Sequence, residues 1–227
     1  MTLATAIYYA ECFAGFSFSL QSIEYYFTAN ASKLNSMIRL IASLALLLHF
    51  AILPSELIIL GTNLFLLYRY QGPYNGGSDC IGNLLLISLT ATHCFHEIYY
   101  KELVTGYFAI QLIYSYFQSG YVKLANAEWR NGSALRDVFL VTAYPRTEAI
   151  REWGYHVRIL CVMGWAIMLF EILFPLTLLS KTTLLIALCL GMLFHLANAL
   201  LFGLKRFFWI WFSGYPLLIW FQERINS

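Results

Sequence analysis

The sequence predicts an all-α integral membrane protein, a polytopic bundle of about eight helices with one interfacial segment, and three features carry that reading. Of its 227 residues, 60% are hydrophobic and only 11% are charged, with a mean hydropathy of +0.65. A soluble domain sits nearer roughly 45–50% apolar and about 25% charged. Apolar runs approaching the ~20 residues needed to cross a hydrocarbon core recur along the whole chain. The polar stretches between them are mostly short and carry turn chemistry. The formal charge of +2 is too small for a nucleic-acid surface, so the expected surroundings are a lipid bilayer and no nucleic acid. Backbone groups in lipid must bond within their own segment, which makes the spans helices rather than open strands.

The first span runs from about Leu3 to Phe27 and carries Glu11 and Glu24. It lacks a basic leader region and is expected to be retained as a helix. The polar stretch Thr28–Ser36 follows, then an apolar run from Met37 to Leu67 that is too long for one crossing. Pro54 disfavours helix at the residue before it and Ser55 can cap a new start, so helices are expected at about 37–53 and 55–70. Gln71–Ser78 is the strongest turn signal, and Asp79 is the expected cap of a fourth helix at about 80–97. A fifth helix is expected at about 103–124. Ala125–Tyr155 reads as an interfacial loop with a short helix, because it is polar and holds Trp129 and Trp153. Helices at about 156–179, 182–204 and 207–222 close a single transmembrane domain over 1–227.

With eight crossings both termini share one side, which holds Lys101, Lys181 and Arg224. The other eleven basic residues fall on the opposite side, which the positive-inside rule places in the cytoplasm. Cys12, Cys80, Cys94, Cys161 and Cys189 form no C-x-x-C pair and read as small apolar side chains.

Ionisable residues inside spans are costly and usually face a bundle interior or a wet cavity. Those here are Glu11, Glu24, His49, Lys123, Glu171 and His195. Glu11, Glu24 and His49 read as paired structural groups. Lys123, near the end of the fifth helix, is a candidate base: apolar surroundings disfavour an ammonium, and a neutral amine is a competent proton acceptor. The competing reading is a lysine that snorkels to the headgroups. His195 has Asn198 at i+3 on its own helical face, so the two can share a polar cavity or a plain interhelical hydrogen bond. His93-Cys-Phe-His96-Glu97 puts two imidazoles on one face, but at a helix end and with no third ligand evident, so no metal is assigned.

Three pieces in order carry a resemblance. Tyr70-Gln-Gly-Pro-Tyr-Asn-Gly-Gly-Ser-Asp79 is similar to an Asn-Gly-Gly-Asp turn. Tyr116-Phe-Gln-Ser-Gly-Tyr-Val-Lys-Leu124, followed by Trp129 and Gly132, resembles a Tyr-Phe-x-x-Gly-x-x-Lys-Leu…Trp…Gly stretch. Phe170-Glu-Ile-Leu-Phe-Pro175 and Phe194-His-Leu-Ala-Asn198 complete the set. Together they resemble the transmembrane domain shared by vitamin K-dependent gamma-carboxylase and the bacterial HTTM proteins, most closely over residues 70–220.

The resemblance implies that Lys123 matches the carboxylase base acting on vitamin K hydroquinone, and that His195 matches a family histidine. Asn198, Glu171, Tyr116 and Gly120 would then shape the cofactor site, with a vitamin K-like quinol as the implied cofactor. Two departures weaken the parallel with full glutamate carboxylation. Asn75–Asp79 holds no histidine where the carboxylase has one, and the carboxylase's large extramembrane C-terminal region has no counterpart. The size is nearer the small bacterial members, one of which is similar to a factor that matures a peptide toxin. The resemblance also implies a lumenal placement for the side that the charge count puts in the cytoplasm.

Two functions follow as expectations. One is a multi-pass enzyme, in the cell or inner membrane if bacterial, that acts on a quinol or a membrane peptide with Lys123 as base. The alternative is a non-catalytic subunit packed against other membrane subunits of a larger complex. A transporter is disfavoured, because inverted-repeat symmetry is absent.

Overall fold

The computed structural model describes residues 1–27, 32–69, 76–141 and 148–226, and among these every regular element is helical. The order is α1 (Leu3–Phe27), α2 (Lys33–Leu47), α3 (Ile52–Arg69), α4 (Gly76–Cys94), α5 (Ile98–Ala125), α6 (Ala127–Arg130) and α7 (Ser133–Val141). A 3-10 segment, Glu148–Tyr155, leads into α8 (Val157–Leu173). A second, Phe174–Leu179, precedes α9 (Lys181–Phe202) and α10 (Lys205–Ile225). The chain divides into two compact units, residues 1–109 with 206–227, and residues 110–205.

In the first unit α1 lies along α2 with a small-residue row inward: Ala6, Ala10 and Ala14 are all fully buried. Spacing of four puts them on one helical face, where small side chains let two backbones approach. Gly15 completes the contact. A Cβ there would stand 2.5 Å from Leu47 N and 2.9 Å from Ser43 O of α2. Several polar side chains on these helices are satisfied locally. Ser19, Ser22 and Ser43 donate to the carbonyls of Gly15, Phe18 and Arg39, each four residues back. Asn63 Nδ2 of α3 donates to Asn83 Oδ1 of α4 at 2.9 Å. Arg39 is 1% exposed, donates to Gln21 Oε1 at 2.8 Å, and sits over the rings of Phe18 and Tyr25. Phe18, Gln21 and Tyr25 are spaced i, i+3, i+7, so one face of α1 forms the whole cradle.

The break after α2 differs from the expectation in place and cause. It falls at residues 48–51, where His49 and Ala51 adopt left-handed backbone (φ +56° and +48°). Pro54 instead occupies the first turn of α3, where its missing N–H costs no helical bond. Ser55 is inside the helix, its N–H bonded to Ala51 O, and is not the cap. Asp79 is likewise a first-turn residue of α4, which begins at Gly76. Of the expected turn Gln71–Ser78, residues 71–75 lie outside the described residues, whereas Gly76, Gly77 and Ser78 belong to the first turn of α4.

In the second unit the stretch 125–155, expected to be an interfacial loop with a short helix, holds two short α-helices and a 3-10 segment among its described residues. Asn126 Oδ1 accepts from Glu128 N to start α6, and Gly132 (φ +83°) turns the chain into α7. Leu135, Phe139, Ile150, Leu160 and Phe202 then form one apolar cluster, edged by Trp129 and Met163. α8 stops at Leu173 because Pro175 has no N–H to continue it, and the chain proceeds as a 3-10 turn. Gly203 (φ +72°) ends α9 with its N–H on Asn198 O. Among the described residues, two segments are long and apolar enough to cross a membrane, Val157–Leu179 and Lys181–Phe202, each with a mean hydropathy of 2.2. Val162, Leu169, Ile186 and Leu193 on them are at least half exposed, whereas the core helix of a soluble protein would bury them.

Gly15→Ala is expected to destabilise the detergent-solubilised protein by about 2 kcal/mol, since α2 backbone blocks the new methyl. Gly61→Ala on α3, whose Cβ would meet nothing within 4 Å, is expected to be neutral or slightly stabilising. Thermal unfolding of the two variants side by side checks the contrast.

Candidate functional site

The site is built within the second unit on one face of α5. Tyr116, Ser119, Gly120 and Lys123 are spaced i, i+3, i+4 and i+7, so they line up along one flank over about 10 Å of helix. Glu171 comes from α8, in the middle of the apolar segment Val157–Leu179, and His195 from the middle of α9.

Gly120 sets the distance between α5 and α8. A Cβ on it would stand 2.8 Å from Glu171 Cβ, Ile172 Cγ1 and Ile172 N. The absent side chain brings the backbones close enough for Lys123 to reach Glu171. Lys123 Nζ donates to Glu171 Oε2 at 2.6 Å, to Glu171 Oε1 at 2.8 Å and to Ser119 Oγ at 2.5 Å. Three ammonium protons thus meet three acceptors. Ser119 Oγ also donates to Glu171 Oε1 at 3.1 Å. The Trp129 ring lies 5.4 Å from Nζ and shields the outer side of the pair. The Glu171 side chain is 4% exposed and that of Lys123 is 17%. A pair so withdrawn from water is sustained by direct contact and by hydrogen bonds to the remaining lone pairs.

Two turns earlier on α5, the Tyr116 hydroxyl and His195 Nε2 share a hydrogen bond of 2.9 Å. Both side chains are buried. Tyr116 stacks on Phe174 with centroids 4.0 Å apart, and Phe170 meets both rings edge-on, so the phenol is held rigidly. The flank therefore carries a charged pair and a neutral phenol–imidazole pair inside one aromatic wall.

Of the residues singled out from sequence, Lys123, Glu171, Tyr116, Gly120 and His195 come together in this unit. Gly120 does so through backbone packing and not through an open face. Asn198 is half-buried, and its carbonyl caps the end of α9 by accepting from Gly203 and Leu204 N–H. Lys123 is neither a bare amine nor a snorkelling lysine: it is engaged by a carboxylate. Sequence reasoning missed Ser119 and the direct Lys123–Glu171 contact. The i, i+4 spacing of Ser119 and Lys123 was the available signal for the first. The second joins residues 48 apart and had none. Glu24 pairs with Arg206 at 3.2 Å, while Glu11, His49 and His93 gather in the first unit.

Gly120→Ala is expected to cost about 2–3 kcal/mol, because backbone and Cβ atoms of α8 meet the new methyl. Thermal unfolding in detergent reads the loss. A melting temperature equal to wild type would show that α8 does not lie at this distance.

The family model described as HTTM domain matches residues 101–222, more than half of the chain, and includes Tyr116, Ser119, Gly120, Lys123, Glu171 and His195. No curated protein and no solved structure matches the chain. The protein belongs to the HTTM domain family, a family of transmembrane domains.

Proposed function

We propose that this chain is a multi-pass integral membrane enzyme in which Lys123 and Glu171 together take a proton from a lipid-soluble quinol. The topology would be eight crossings, α1 to α5, α8 with its 3-10 extension, α9 and α10, with α6, α7 and Glu148–Tyr155 at the interface. The exposed apolar side chains of α8 and α9 and the family membership support that topology.

The observation that carries the chemical reading is the set of three short contacts that engage Lys123 Nζ with Glu171 and Ser119. A quinol hydroxyl entering beside this pair would give its proton to a Glu171 oxygen. The electron pair of the broken O–H bond would remain on the substrate oxygen. The Lys123 ammonium, freed of one acceptor, would turn a donor toward that developing oxyanion. In a low-dielectric site an ammonium stabilises an oxyanion far better than water-screened charge does. Tyr116 and His195 would position the other end of a ring substrate, because their hydrogen bond is held by the stacked Phe174.

Anaerobic titration of the purified protein with a reduced naphthoquinone tests this. Trp129 is the local fluorophore, isolated by subtracting the signal of Trp129→Phe. Wild type is expected to bind. Lys123→Ala and Glu171→Gln are each expected to weaken binding by at least about tenfold, the equivalent of ~1.4 kcal/mol. Lys123→Arg, with its larger planar head, is expected not to restore it. Unchanged binding in all three variants would remove the pair from the chemistry. Isolation in a stoichiometric complex with no quinone in a solvent extract would favour the non-catalytic subunit instead.

A further inference from the structure

We propose that the first unit holds a divalent transition-metal site formed by Glu11, Glu56 and His93. The inference is independent of the Lys123–Glu171 site, and its residues lie outside the stretch that matches the family.

Each ligand comes from a different helix: Glu11 from α1, Glu56 from the start of α3, His93 from the last turn of α4. Their ligand atoms all lie within 4.8 Å of one another. Both carboxylates converge on one imidazole nitrogen. Glu11 Oε1 is 2.6 Å and Glu56 Oε1 is 3.9 Å from His93 Nε2. The residue that makes this more than an acidic cluster is Glu56. It is 0% exposed and is directed at His93, yet neither of its carboxylate oxygens accepts a hydrogen bond of good geometry among the described residues, although the Thr90 hydroxyl stands close by. A carboxylate withdrawn from water with so little donation is disfavoured unless a cation compensates it.

His49 adds a second observation. Its Nε2 lies 3.1 Å from the other oxygen of Glu11, within ion-pair reach but off the hydrogen-bond direction. Its backbone is left-handed (φ +56°), and its ring lies against Tyr8 at 4.4 Å. A strained backbone at a residue that faces a cluster of ligands is a common mark of function. Imidazoles beside ligating carboxylates typically orient them.

The donor set selects the ion. Two carboxylates and one imidazole, with no thiolate, suit zinc, manganese or iron(II). Two carboxylate charges and a neutral imidazole balance one dication. A tetrahedral ion ~2.0–2.2 Å from each donor sets the donors about 3.3–3.6 Å apart. The observed 2.6 Å and 3.9 Å bracket that spacing. Three protein ligands leave a position open for water or a substrate oxygen, the arrangement of catalytic rather than structural sites.

The test uses the full chain purified in detergent, stripped with a chelator and titrated with zinc chloride, with bound metal counted by mass spectrometry. One equivalent is expected to bind, with a rise in melting temperature. Glu56→Gln keeps the shape and removes the charge. It is expected to lose at least about 100-fold in affinity, at or beyond the upper end of the ~10–100-fold cost of losing a ligand's supporting partner, and to lose the zinc-dependent stabilisation. His93→Ala is expected to do the same, whereas His96→Ala, outside the cluster, is expected to keep both. If wild type binds no zinc, or if Glu56→Gln binds the same equivalent as tightly, the site does not exist. Lys123→Ala is expected to retain zinc, which separates failure of this site from failure of the quinol reading.

Discussion

An ammonium can be carried into an apolar interior only with its counter-charge in contact, and the second unit is arranged around that requirement. Lys123 reaches Glu171 because α5 and α8 touch backbone to backbone at Gly120. A Cβ at that position would push the helices apart and separate the pair, leaving each buried charge without its counter-charge. Ser119 then takes the third ammonium proton, and Trp129 covers what remains. Packing, charge and hydrogen bonding are therefore one constraint here.

The same logic governs the rest of the molecule in milder form. Hydroxyls on apolar helices bond to the carbonyl one turn back, as at Ser19, Ser22 and Ser43. Amides pair across helices, as Asn63 does with Asn83. Arg39 is buried against two aromatic faces and a glutamine oxygen. Where lipid or protein replaces water, these polar groups find partners within the chain, and the pairings help to fix the helix arrangement.

How far the sequence announces all this depends on the range of the interaction. Helix existence and extent were readable, because apolar run length is a local property: the first span was expected at 3–27 and is Leu3–Phe27, and the ninth helix was placed within two residues at each end. Boundaries governed by turn geometry were misplaced. Pro54 and Asp79 were read as a breaker and a cap, yet both sit within first turns, where either residue is well tolerated. The α2–α3 break instead uses left-handed His49 and Ala51, residue types that carry no turn signal. The 125–155 stretch was read as a loop with one short helix because its helical segments are short and lie among polar residues, and its order comes from the cluster around Phe139 and Phe202. For the site, Lys123 was visible as an ionisable residue inside a span, and Tyr116 and Gly120 only through the resemblance of the stretch that holds them. The Lys123–Glu171 contact and the convergence of Glu11 and Glu56 on His93 join distant segments, which only packing reveals.

The most direct measurement of the central claim is a double-mutant cycle on stability with Lys123→Met and Glu171→Leu in detergent. If the two groups form one buried unit, each single change should cost about 3 kcal/mol by stranding its partner. The double change should cost little more than either alone, because no charge is then left uncompensated. Losses that simply add would show that Lys123 and Glu171 do not meet, and the proton-handling pair would have no physical basis.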